Sequence, residues 1–224
     1  MEVVTTQYPP TRSFRLRRRA LPPARAERYE RLMAQWSLPV EGDTLCFAEL
    51  FPGMDAVVLD IGFGGGEGLI DLAAARSNEA IIGLDVHTSG VAFVVEAIED
   101  NGWQHVRVVE GDVLEVLHRI PLQSLAGVRL YFPDPWPKQK QRHRRLARPD
   151  VVTRLVDRLR VGGTFHVATD VAEYATQTLA VCAAETRLQG DVVLRPDWRP
   201  VTRFERRGLA AGRKPVDMIF ERVH

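Results

Sequence analysis

Two hydrophobic periods alternate along most of this chain. Five short, β-branched runs have the length and continuity of strands buried on both faces: "AVVLDIG" (56–62), "AIIGLDV" (80–86), "HVRVVEG" (105–111), "GVRLYF" (127–132) and "GGTFHVATD" (162–170). Between them, apolar residues recur at helical spacing. A leading helix over 23–36 puts Tyr29, Leu32, Met33 and Trp36 on one face. Further helices are predicted from about Gly66, over 90–100 ("GVAFVVEAIED") and briefly after Asp112. One after Pro149 turns Val152, Leu155, Val156 and Leu159 inward, and one from Val171 turns Tyr174, Ala175, Thr178, Leu179 and Cys182 inward. This alternation predicts βαβ units, hence an α/β fold with a doubly wound, mostly parallel sheet covered on both faces.

Composition narrows the class. A chain of 224 residues, 45% hydrophobic, can bury one full core, so a single domain over 29–224 is expected, preceded by a basic and mobile segment over 1–28. The two cysteines, Cys46 and Cys182, are far apart and form no CxxC pair. That argues against a disulfide scaffold and against a zinc site, and no metal is assigned. No apolar run has the length of a membrane span, and none follows the basic N-terminus as in a secretory signal, so a soluble cytoplasmic protein is expected.

The net charge of +1 conceals an uneven distribution. Residues 55–115 carry twelve acids against two basic residues, whereas 1–28 has seven arginines against two glutamates. Residues 138–148 hold six Lys or Arg and no acid, and 195–214 holds seven basic residues against Asp197 and Glu205. An acidic half and three basic segments imply two ligands of opposite character, one small and cationic or hydroxyl-rich, the other polyanionic.

In a doubly wound sheet, ligands bind beyond the carboxyl ends of the strands. The first predicted strand runs into "DIGFGGGEG", where glycines allow a tight turn and close backbone approach. The dinucleotide fingerprint G-x-G-x-x-G fails, because Glu67 stands three residues after Gly64, and a glutamate at that helix start would repel a pyrophosphate. Asp60, Gly62 and Gly64 therefore suit a nucleoside without phosphates. Asp85 ends the second strand, 25 residues after Asp60, where an acid meets ribose hydroxyls. Asp112 follows the third strand, beside an adenine position, with helix capping as its plainer role. Asp134 follows the fourth. Acids at four successive strand ends suit S-adenosylmethionine, which combines ribose and adenine with an amino-acid end and a sulfonium cation.

The stretches "LDIGFGGGEG", "GLDVH", "GD", "RLYFPDPWPK" and "ATD", with "RPVTRFERRG" (199–208), resemble in order and spacing the TrmB-type tRNA (guanine-N7)-methyltransferases. The resemblance spans roughly residues 45–222 and implies a class I S-adenosylmethionine-dependent methyltransferase fold, Rossmann-like with seven strands. It implies that Asp60, Asp85, Asp112 and Asp134 bind the methyl donor and that Asp134 is also the catalytic residue. Lys138, Asp170, Thr202, Arg203, Phe204 and Glu205 would hold the guanine of a tRNA partner, at position 46 in the variable loop. Gln141 and His143 depart from the family's basic stretch, and Arg203 replaces a commoner lysine, which leaves fine tRNA contacts open. The resemblance leaves open whether the chain is a monomer or a homodimer.

The chemistry fits an aligning carboxylate better than a general base. Guanine N7 offers an in-plane lone pair and carries no proton to remove. The prolines at 133, 135 and 137 fix φ, remove donors and hold Asp134 outside the sheet. Trp136 is expected either to stack on a base or to support the loop, and the arginines after Lys138 to meet backbone phosphates together with the Arg-rich stretch 12–19. His87, which follows Asp85 by two positions, is expected near the donor. An amino-directed methyltransferase, suggested faintly by "DPW", and a non-catalytic RNA-binding relative are the alternatives. A nicotinamide dehydrogenase is disfavoured by the failed glycine spacing.

Overall fold

The computed structural model describes residues 21–224. The Arg-rich stretch 12–19 lies outside the described residues. The leading helix α1 (Pro23–Trp36) starts with a proline at its first position, where a missing N–H costs nothing, and buries Leu32 and Trp36. Arg25 and Arg28, counted with the N-terminal segment in the sequence, belong to this helix. They pair with Glu96 at 2.8 Å and with Glu99 at 2.8 Å.

A single-turn helix α2 (Phe47–Leu50) leads to β1 (Val57–Ile61), α3 (Glu67–Ala75), β2 (Ala80–Asp85), α4 (Thr88–Asn101) and β3 (Val106–Glu110). After the short α5 (Val113–Val116) come β4 (Leu125–Tyr131), α6 (Pro149–Arg158), β5 (Leu159–Thr169), α7 (Ala172–Ala184), β6 (Leu188–Val193), α8 (Arg203–Ala210) and β7 (Val216–Arg222). All five predicted strands form, and two more complete a seven-stranded sheet of order β3-β2-β1-β4-β5-β7-β6. Pairing is parallel from β3 through β5, and β7 runs antiparallel to both of its neighbours. No helix among the described residues is long and apolar enough to cross a membrane.

Every residue of β1 and β2 is buried, which is why these strands read as unbroken apolar runs. α1, α3 and α4 cover one face of the β3-β2-β1 half, packing Leu69, Leu72, Val91, Val95 and Ile98 on Ile81, Val106 and Val108. α6 and α7 seal the opposite face with Val152, Leu155, Val156, Tyr174 and Cys182. Burial pushes the Cys182 thiol up to about 12, so it serves as a small hydrophobe. Beyond β1 the first face changes character. The paired positions Asp60, Arg129 and His166, and then Tyr131 and Asp217, put polar side chains where the apolar half has valines.

Candidate active site

Strand order reverses between β1 and β4, and the strand ends and loops gathered there line a cleft of about 540 Å³. Gly62, Gly64, Asp85, Asp112, Asp134, Asp170 and Phe204 all line it, as does His87. The cleft therefore brings together residues separated by up to 142 positions of sequence, with apolar walls from Leu84, Val113, Leu130 and Phe132.

The glycine loop forms its floor. Gly62, Gly64 and Gly66 have φ of 76°, 63° and 94°, which L side chains adopt only with strain. The Gly64 N–H donates to Asp85 Oδ2 at 2.6 Å, while Oδ1 accepts from the His87 N–H at 2.8 Å and faces His87 Nδ1 at 2.7 Å. Asp85 thus ties the loop to the β2 end. Asp112 accepts from the Leu114 N–H at 3.0 Å, so it caps α5 while facing the cleft.

Asp134 is exposed and held by strained neighbours. Phe132 and Trp136 have φ of 51° and 41°, unusual for bulky residues. The Phe132 N–H donates to the Ala168 carbonyl at 2.7 Å, anchoring the loop to β5. Trp136 is only 4% exposed, which makes it the loop's support and takes its ring out of reach of a base. Arg145 is only 1% exposed. Its Nε donates to the Pro135 carbonyl at 2.8 Å and its Nη1 to Gln177 Oε1 at 2.5 Å.

The expected cationic arm is corrected on this point. Arg145 is an internal brace of the proline frame, Arg142 pairs with Glu173 at 3.0 Å, and Arg144 lies over the Trp136 ring at 5.0 Å. Charge in a sequence does not reveal which arginines fold inward. Lys138 and Lys140 are exposed, and Lys138 does not line the cleft.

The remaining expected residues divide. Asp170 receives Arg213 Nε at 2.7 Å and sits against Gly208, where a methyl group would overlap its carboxylate. Phe204 packs on Gly64, so a methyl group there would lie 3.0 Å from its ring. Thr202 is the N-cap of α8, its Oγ1 accepting from the Glu205 N–H at 3.1 Å. Arg203 is exposed, 4.0 Å from Glu67. Glu205 faces away from the cleft, 3% exposed, and both its oxygens accept from Arg199. Arg207 and Arg213, which also line the cleft, were legible only as part of the basic run 195–214.

Asp60 lies behind the glycine loop, 4% exposed, and is not part of the cleft wall. Burial pushes its carboxyl up to about 6, against the attraction of Arg129 and aided by Asp85. The folded protein then holds this proton at pH values where the unfolded chain, near 3.8, has released it. Its contribution to stability therefore falls as pH rises from about 4 to about 6 and stays low above that. Asp60→Asn is expected to gain stability relative to wild type across this window, by up to about 3 kcal/mol. Urea midpoints of both proteins at several pH values check this, and a constant difference would contradict it.

The arrangement of strands, glycine loop and strand-end acids defines a class I methyltransferase fold. Solved structures agree. An antibiotic-related methyltransferase superposes with a TM-score of 0.58, covering 81% of this chain and 96% of that one at 17% identity. The 16S rRNA methyltransferase KamB gives 0.56 over 80% of this chain and 93% of that one, at 17% identity. A family model described as a putative methyltransferase matches residues 54–218. The tRNA (guanine-N(7)-)-methyltransferase of Streptomyces avermitilis is 40% identical over 218 residues, 95% of this chain and 75% of its own length. That of Nitrosospira multiformis is 38% identical over 217 residues, 95% of both chains. The chain belongs to the tRNA (guanine-N7)-methyltransferase family.

Proposed function

We propose that this chain transfers a methyl group from S-adenosylmethionine to N7 of a guanine in tRNA, at guanine 46 of the variable loop. The observation that carries the reading is Asp134, held by a strained, braced loop at the wall of a cleft whose other acids come from neighbouring strand ends. The relatives' named activity supplies the substrate class. The cleft suits the donor. Its lining sets Asp85, Asp112, Asp134 and Asp170 against Arg207 and Arg213, an acidic balance for a ligand with a sulfonium and an ammonium group. Apolar Leu84 and Val113 between the acids suit an adenine. The donor supplies an electrophilic methyl carbon.

The protein's task is alignment. The N7 lone pair attacks the methyl carbon, the bond to sulfur breaks, and positive charge passes to the purine without any proton transfer. A carboxylate about 4 Å from that charge interacts by about 4 kcal/mol at an effective dielectric near 20. This attraction acts on ground and transition states alike, so it lowers the barrier little. Holding nucleophile and methyl carbon in line can supply roughly 7–11 kcal/mol. Asp134 thus orients donor and guanine. Phe204 and Asp170 face the guanine, Thr202 and Glu205 serve by seating α8, and the exposed Lys138 and Arg203 meet the RNA chain. A tRNA substrate places the work in the cytoplasm.

Incubation with unmodified tRNA and donor, followed by mass spectrometry of the nucleosides and mapping, is the test. N7-methylguanosine at one variable-loop position is expected. A methylated exocyclic amine, or donor binding in the calorimeter with no transfer to any tRNA, would sink the proposal.

A further inference from the structure

α8 carries the Phe204 ring into the cleft, yet its own docking is unusual. Of its eight residues, the buried ones are Glu205 and Gly208, while Phe204 and Leu209 are 45% and 51% exposed. No apolar side chain of this helix is buried, so beyond the contact of Phe204 with Gly64 hydrophobic packing does little to fix its position.

What meets it is Arg199, fully buried one turn of chain before the helix. Its Nη1 donates to Glu205 Oε2 at 2.7 Å and its Nη2 to Oε1 at 2.9 Å. The same guanidinium reaches Asp217 on β7, with Nε 2.6 Å from Oδ1 and Nη2 3.0 Å from Oδ2. Its carbon lies 5.7 Å and 5.6 Å from the ring centres of Tyr131 and Phe132. Asp217 also accepts from His166 Nε2 at 2.8 Å, and the other ring nitrogen stands 2.9 Å from the Tyr131 hydroxyl. With Nε2 carrying the proton toward the carboxylate, Nδ1 accepts from Tyr131. Burial pushes the Asp217 carboxyl up, but the hydrogen bonds from His166 and Arg199 outweigh it and hold the group below its ordinary value.

Buried ion pairs are poor stabilisers, because desolvation consumes what attraction gives. Their attested use is to specify geometry, and a planar guanidinium fork fixes two carboxylates more rigidly than an ammonium can. Here the two belong to a sheet strand and to the helix that faces the cleft.

We propose that Arg199 is a positioning residue for methyl transfer, locking α8 and its Phe204 to β7 and to the Phe132 end of the Asp134 loop. It touches neither donor nor guanine and acts through Glu205. The inference rests on the proposed methyl transfer only for its kinetic consequence, and the docking of α8 is measurable without any substrate.

Arg199→Lys keeps the charge but cannot bridge both carboxylates. In this variant the amide hydrogens of 205–210 are expected to exchange at least tenfold faster, with those of β4 and β5 unchanged. With tRNA, kcat is expected to fall at least tenfold while the donor Kd moves less than threefold. Glu205→Gln is expected to produce the same pattern, and the double variant to add little to either single change. Unchanged exchange in 205–210, or a loss spread evenly over the sheet, overturns the positioning role. If wild type proves to methylate nothing, the functional proposal fails, and the exchange measurement alone still decides whether Arg199 holds the helix.

Discussion

Asp134→Asn is expected to lower kcat/KM for tRNA methylation at least 100-fold, about 2.7 kcal/mol of transition-state stabilisation. The substitution keeps the shape of the side chain and removes the charge by which it orients donor and guanine, so the loss is one of alignment. Because Asp134 is exposed, global stability should stay within about 0.5 kcal/mol of wild type. The size of the effect follows from what the chain spends to place this residue. Two bulky residues with positive φ, Phe132 and Trp136, cost on the order of 1–3 kcal/mol each. Buried Arg145 and Trp136 hold the frame against that strain. Such an arrangement makes sense only if the carboxylate's location matters more than local comfort. Calorimetry with the donor separates the two contributions. Loss of donor affinity reports the attraction for the cation, and loss of kcat at saturating donor reports alignment. An asparagine variant that methylates at wild-type rate would remove Asp134 from the mechanism.

The half of the fold that surrounds the cleft is the half that its sequence announces. β1 and β2 are buried on both faces, so composition alone marks them, and each ends where an acid or glycine leaves the apolar layer. β6 and β7 give no comparable sign. β6 is an edge strand with one buried residue in six, and β7 beside it breaks its apolar residues with buried Asp217 and Arg222 and exposed Glu221, so neither reads as an apolar run. Charged residues are the least legible. Thr202 and Glu205 have the spacing of a capping box, in which the glutamate would reach back to the N-cap. The threonine does cap α8, but the glutamate side chain turns instead to Arg199, which the sequence presents as one more member of a basic run. Arg145 and Arg199 look in sequence like surface charge, and each is buried against carbonyls or carboxylates of other segments, 10 and 18 residues away. Burial depends on partners supplied by other elements, which local periodicity does not contain.

Gly90→Ala gives the second large expected effect, and here local propensity points the wrong way. Gly90 lies in the first turn of α4, where alanine is intrinsically the better helix former by about 1 kcal/mol. Tertiary packing reverses the sign. A methyl group at this position would overlap the Gly64 carbonyl oxygen, and the obstacle is backbone, which no rotamer change can clear. α4 must move away or the glycine loop must shift. The loop has little freedom, since Gly64 hydrogen-bonds Asp85 and a side chain at Gly66 would itself press on Val94 of the same helix. Overpacking of this kind costs about 1–3 kcal/mol, so a net destabilisation is expected in urea despite the gain in propensity. Donor affinity should suffer more, by at least 30-fold, because the displaced atoms form the floor of the cleft. A Gly90→Ala protein that binds S-adenosylmethionine as wild type does would mean that the loop is not the donor's cradle. The acids at the strand ends would then need another ligand.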